Sequence, residues 1–118
     1  MTIERLHTGP RMSQVVIHNG TVYIAGQVAP NAHDKSVAVQ TQDILSIIDG
    51  LLAEARSSKG RVLSATIWLT DMATFDEMNQ VWDRWVVPGS APARATVESA
   101  QLAGPDYKIE IAVIAAQN

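Results

Sequence analysis

The hydrophobic positions of this 118-residue chain change period several times along its length. Val15–Ile17 and Thr21–Val28 are rich in β-branched residues, and Asn19-Gly20 sits between them. Both turn residues tolerate positive φ, so the segment predicts a β-hairpin. Ile3–Leu6 predicts a short strand before it. From Ser36 to Ser58 the spacing lengthens. Val37, Ile44, Ile47, Ile48, Leu51, Leu52 and Ala55 recur three and four apart, which predicts a helix. Gly60 is placed to end it, and Gly50 inside it is expected to mark a close packing contact. Arg61–Leu69 then alternates as a strand, with Leu63, Ala65, Ile67 and Leu69 on one face and Val62, Ser64, Thr66 and Trp68 on the other.

Thr74-Phe75-Asp76-Glu77 has the spacing of a capping box and predicts the start of a second helix. Met78, Val81, Trp82 and Trp85 form its apolar stripe, so the two tryptophans read as core rather than as a stacking platform. Pro88, Gly89 and Pro92 break the chain before a strand around Arg94, and Gly104-Pro105 turns it into a last strand, Lys108–Ala115.

The predicted order is β-β-β-α-β-α-β-β, one α+β unit spanning residues 1–118. Two helices cover only one face of such a sheet. The last strand is nevertheless apolar on both faces, with Ile109, Ile111 and Val113 on one and Ala112 and Ile114 on the other. Further copies of the same chain are the economical cover, which predicts an oligomer.

Composition narrows the chemistry. There are no cysteines, so disulfides, thiolate metal sites and a cysteine nucleophile are excluded. That agrees with a reducing, cytoplasmic setting, as does an N-terminus without an apolar signal region. No apolar run approaches the ~18 residues of a membrane span. The net charge of -3 and the lack of a basic cluster argue against nucleic acid as partner. No GxGxxG, Walker loop or nucleophile elbow is present. His7, His18 and His33 lack metal-ligand spacing, so no metal is expected; His18 reads as a surface residue beside the hairpin turn. Asp43, Asp49 and Glu54 read as ordinary solvated helix charges.

The informative charges lie in the stretch PARATVESAQLAGPDYKIEIAVIAA, Pro92–Ala116. Alternation puts Arg94, Thr96 and Glu98 on one face of their strand, and Lys108, Glu110, Ala112 and Ile114 together on the last. Buried charges are tolerated when paired or when they serve a ligand. Two readings stay open on residue chemistry: a structural Arg94–Glu110 salt bridge, or a pocket that both charges face. In the pocket, the arginine fork would bind a carboxylate and the glutamate would hold a water or move a proton.

Pro92-Ala93-Arg94-Ala95-Thr96-Val97-Glu98, Lys108-Ile109-Glu110-Ile111 and Ile114-Ala115-Ala116 resemble the C-terminal signature of the RidA/YjgF family. Val16–Gln27 resembles the same family's N-terminal hairpin and its Gly26-Gln27 pair. Arg11-Met12-Ser13 and Trp82–Val87 are more similar to the small RidA-like branch that includes YoaB. The resemblance implies a chorismate-mutase-like mixed sheet with two helices on one face. It also implies a homotrimer with a pocket at each subunit interface. The implied activity is hydrolysis of reactive enamines and imines, of the 2-aminoacrylate type, to 2-oxo acids and ammonia, without a cofactor.

Carried over by position, Arg94 matches the arginine that binds the substrate carboxylate, helped by backbone donors near Ala95 and Thr96. Glu110 matches the catalytic glutamate that positions the water. Gly26 falls in the substrate pocket. Thr96 stands where RidA has a cysteine and Ala25 where it has a serine. The pocket tyrosine has no tyrosine counterpart, and Arg11, Met12 or Ser13 falls in its region. An Arg11 near the pocket mouth would favour a more acidic substrate. Alternative readings of the same residues are a non-catalytic module binding a carboxylate metabolite and a structural interaction protein.

Overall fold

The computed structural model describes residues 2–118. Its elements run β1 (Glu4–Thr8), β2 (Ser13–His18), β3 (Thr21–Gln27), α1 (Val37–Glu54), β4 (Val62–Leu69), α2 (Phe75–Trp85), β5 (Ala93–Glu98) and β6 (Ile109–Ala116), in the predicted order. The strands form one mixed sheet in the order β1-β2-β3-β6-β4-β5. Only the β4–β5 pair is parallel. The chain crosses from β3 through α1 to β4, leaving a gap that β6 fills, and from β4 through α2 to β5. Both crossovers step the same way along the sheet. A common right hand therefore places both helices on one face.

Asn19 and Gly20 both adopt positive φ, 56° and 76°, and close the β2–β3 hairpin as their chemistry requires. Helix α1 starts at Ser36, whose hydroxyl accepts from the Val39 N–H. Its end departs from expectation. It stops at Glu54, well before Gly60, because Arg56 takes a left-handed φ of 63°. The Ser57 N–H then bonds the Leu52 carbonyl and the Arg56 N–H bonds that of Ala53, a Schellman arrangement built on a non-glycine residue. Gly50 has no neighbour within 4 Å of where a Cβ would stand, so the expected packing contact is absent.

The capping box is also corrected. The Thr74 side chain makes no cap hydrogen bond to α2; its hydroxyl donates to the Asp71 carbonyl. Glu77 reaches across to accept from the Ala38 N–H, 2.9 Å away, and so caps the first turn of the other helix. The helix carboxylates read as solvated have partners too. Asp49 accepts from the Trp85 indole N–H at 3.0 Å, Asp43 from Asn31, and Glu54 meets His7.

Ile109, Ile111, Val113 and Ala115 of β6 turn toward the helices and are buried with Ala65, Ile67 and Leu69 of β4. A register shift between Val62 and Ser64 swaps the expected faces at the start of β4: Val62 is buried and Leu63 is 53% exposed. On the other side of the sheet Tyr23 and Ile114 pair across β3 and β6, 45% and 37% exposed, and Val97 follows on β5 at 44%. The shortest dimension of the chain, 21 Å, has room for one sheet and one helix layer. The second sheet face, expected to need cover, is bare in the single chain and exposes Tyr23, Ile114 and Val97. None of the described helices is long and apolar enough to cross a membrane.

Candidate functional site

Arg94 and Thr96 sit on β5, the edge strand, and pair in register with Ala65 and Ile67. Those β4 residues face the helices, so Arg94 and Thr96 do as well. The Arg94 guanidinium lies against α2. Its Nη1 donates to Asn79 Oδ1 at 2.8 Å, and its Cζ stands 5.7 Å from the Phe75 ring centroid and 5.3 Å from that of Trp82. Burial holds its pKa below the ordinary arginine value, with Asp83 partly offsetting this through its charge. The Thr96 hydroxyl is buried without a hydrogen-bond partner.

Glu110 belongs to the opposite face. Ile109 and Ile111 point to the core, so Glu110 between them points to the bare side, opposite Trp68 and, one strand further, Val97. Its carboxylate lies over Gly26: a methyl group there would overlap Glu110 Oε2 and come within 2.9 Å of Cδ. Gly26 sits where the β3–β6 register shifts between Ile24 and Gln27. Its role is space for Glu110, since its φ is ordinary. Gln27 donates to Gln14 at 2.8 Å and to the Ala25 carbonyl at 2.9 Å, bracing this bulge.

The predicted site residues therefore fall into separate groups within one chain. Gly26 and Glu110 are in contact. Arg94 and Thr96 share the helix face; Ala95 beside them is exposed on the other face. As an edge strand, β5 leaves alternate backbone N–H and C=O groups unpaired, which suits the expected backbone donors. Arg11 stands in the β1–β2 turn, closed by a Gly9 N–H to Met12 carbonyl bond, beside a cleft it shares with His7, Met12 and Gln14. Four sheet positions separate β2 from β5, about 19 Å at strand spacing, so Arg11 does not join Arg94 in the same chain.

No structural Arg94–Glu110 bridge forms within one chain: the two residues lie on opposite faces. Among the described residues Arg56 pairs with Glu4, and His7 and His33 contact Glu54 and Asp106; neither Arg94 nor Glu110 takes part in such a contact. A pocket faced by both charges is not built by one chain either. Three neighbours of Arg94 escaped the sequence reading: Phe75, Asn79 and, as more than a core residue, Trp82. Their signal was present, because 75, 79 and 82 are one helical stripe interrupted by a single amide.

A mixed six-stranded sheet with two helices on one face defines the chorismate-mutase-like, YjgF-type α+β class. The family model described as Endoribonuclease L-PSP matches residues 2–117, and the chain belongs to this family, the YjgF/RidA family. It is 47% identical to a RutC family protein of Haemophilus ducreyi, covering 98% of this chain and 97% of that one. It is 46% identical to the RutC family protein YoaB of Escherichia coli K12, over 98% and 99% of the two chains. The crystal structure of a YjgF family member from Neisseria meningitidis superposes with a TM-score of 0.95 at 44% identity, covering 100% of this chain and 97% of that one.

Proposed function

We propose that the protein is an enamine/imine deaminase, hydrolysing 2-imino acids of the 2-aminoacrylate type to 2-oxo acids and ammonia. The observation that carries this reading is Arg94: a half-buried cation held by a neutral amide and aromatic faces, with no carboxylate in ion-pair contact. Such a cation is costly unless a ligand anion completes it. A planar, edge-on guanidinium suits a carboxylate. Glu110, with no side-chain hydrogen bond among the described residues and with space above Gly26, suits the task of holding a water.

The opposite faces of the two groups favour a site shared between copies. In this reading Arg94 of one subunit and Glu110 of the next meet across the interface of a homotrimer, whose barrel is lined by the bare sheet faces. The enamine tautomerises to the imine. Arg94 fixes its carboxylate, with Thr96 and the β5 backbone at its side. Water oriented by Glu110 adds across C=N, giving a carbinolamine. This collapses to the ketone as the nitrogen leaves as ammonia. The rate gain comes from orientation and electrostatic placement, and no cofactor takes part. A cytoplasmic setting, near the enzymes that release such imines, accords with a chain that has no cysteine.

The test is an imine-trapping assay. An amino-acid oxidase generates 2-imino acids in situ and semicarbazide competes for them. Addition of the protein should lower the semicarbazone yield for at least one imino acid; yields equal to buffer across the panel would sink the reading. If pyruvate raises the melting temperature while no imine is turned over, the protein is instead a carboxylate-binding module. The nuclease suggested by the family's description has less behind it. The chain carries net charge -3 and lacks the clustered cations that RNA phosphates require.

A further inference from the structure

We infer that Asn79 is a positioning residue for Arg94: with the rings of Phe75 and Trp82 it fixes the guanidinium so that its Nε–Nη2 edge is offered to an anion. The inference rests on the function proposed above for the anion's identity, but the geometry stands on the chain itself. Phe75, Asn79 and Trp82 are successive members of one α2 stripe, so the amide is flanked by a ring one turn away on each side. Both rings lie within cation–π range of Arg94 Cζ, at 5.7 and 5.3 Å. Asn79 Oδ1 takes Nη1 at 2.8 Å. Arginine has only donors, so the amide oxygen must face it. No hydrogen bond from Nε or Nη2 occurs among the described residues, and that edge has the fork geometry a carboxylate accepts.

The choice of an amide matters. An aspartate at this place would hold the guanidinium as firmly, but it would cancel the charge that draws an anionic ligand. A protein that needed Arg94 only for packing would gain from the full ion pair. Asparagine fixes direction and leaves the charge unspent. Asp83, one residue past Trp82, acts on Arg94 through space and forms no contact ion pair with it.

The experiment uses Asn79→Ala and Asn79→Asp in the full chain, with nitrogen-15 spectra of the Arg94 side chain, pyruvate titration, and imine hydrolysis. In the wild type the Arg94 Nη protons should be resolved, because rotation is hindered; in Asn79→Ala they should merge. For Asn79→Ala, KM should rise about tenfold with kcat within about twofold, as expected when substrate binding alone is weakened. Asn79→Asp separates positioning from packing: the melting temperature should hold or rise while pyruvate affinity falls. Loss of stability in Asn79→Asp with affinity per folded molecule unchanged would overturn the inference, as would an Asn79→Ala side-chain spectrum identical to wild type. If the spectra change as expected but wild type neither binds pyruvate nor hydrolyses imines, the positioning of Arg94 stands and the proposed function falls.

Discussion

Arg94 and Glu110 are two strands apart and on opposite faces of one sheet, the first held against Trp82 and Asn79, the second lying over Gly26. If both serve one reaction, they do so from different subunits. Co-expressed Arg94→Ala and Glu110→Gln chains would then complement. Each variant alone should be inactive. A mixed cyclic trimer has one intact interface of the three, so purified mixed trimers should recover about a third of wild-type activity. Imine hydrolysis in purified mixed trimers measures this. No recovery, with trimers intact, would show that the two residues do not share a site across an interface.

The bare sheet face gives a second expectation. Ile114 is 37% exposed in the single chain, so a charge there should cost a monomer little. In a trimer whose sheets meet on this face, Ile114→Glu would bury a carboxylate without a partner. Light scattering after size exclusion should show wild type at the trimer mass and the variant shifted to monomer. An unchanged mass in the variant would place the interface elsewhere.

Gly26→Ala tests the seat of Glu110. The added methyl meets the end of a flexible side chain and not backbone, so the fold should survive with a stability change of about 1 kcal/mol or less. The carboxylate must swing away, so kcat should fall while pyruvate binding is retained. Equal loss of both would assign Gly26 to binding.

Thr96→Val asks what the unpartnered hydroxyl is for. Replacing it with a methyl removes an unsatisfied buried polar atom, so stability should stay level or increase. If the ligand uses the hydroxyl, pyruvate affinity should fall. Affinity at the wild-type level would leave Arg94 and the β5 backbone as the binding groups.

Glu77→Ala tests the corrected cap. It should cost about 1 kcal/mol, because the Ala38 N–H loses its acceptor. Hydrogen exchange should quicken in the first turn of α1 and not in that of α2. Quickening confined to α2 would restore the capping box.

Much of this was legible in the chain. The hairpin was, because Asn19-Gly20 has few conformational alternatives. So were both helices, from their three- and four-residue spacing. The end of α1 was not: a left-handed arginine at position 56 carries no sequence signal comparable to glycine's. Nor was the partner of Glu77, since the same spacing fits a local cap and a reach to another helix. The rows of Arg94 and Glu110 were readable, but not the opposition between them. Alternation along a strand says which residues stand together; it does not say which side of the sheet each set faces. For β6 the larger apolar set decides, and Glu110 goes to the bare face. For β5 the same rule would turn Ala95 and Val97 inward, but the register with Ala65 and Ile67 overrides it and faces Arg94 and Thr96 to the helices. The sequence by itself determined the elements, their order and the two charges on which the proposed chemistry rests. Only the tertiary structure decided that these charges point away from each other, because facing is a property of strand register and bulges, which are settled by contacts between segments far apart in the chain.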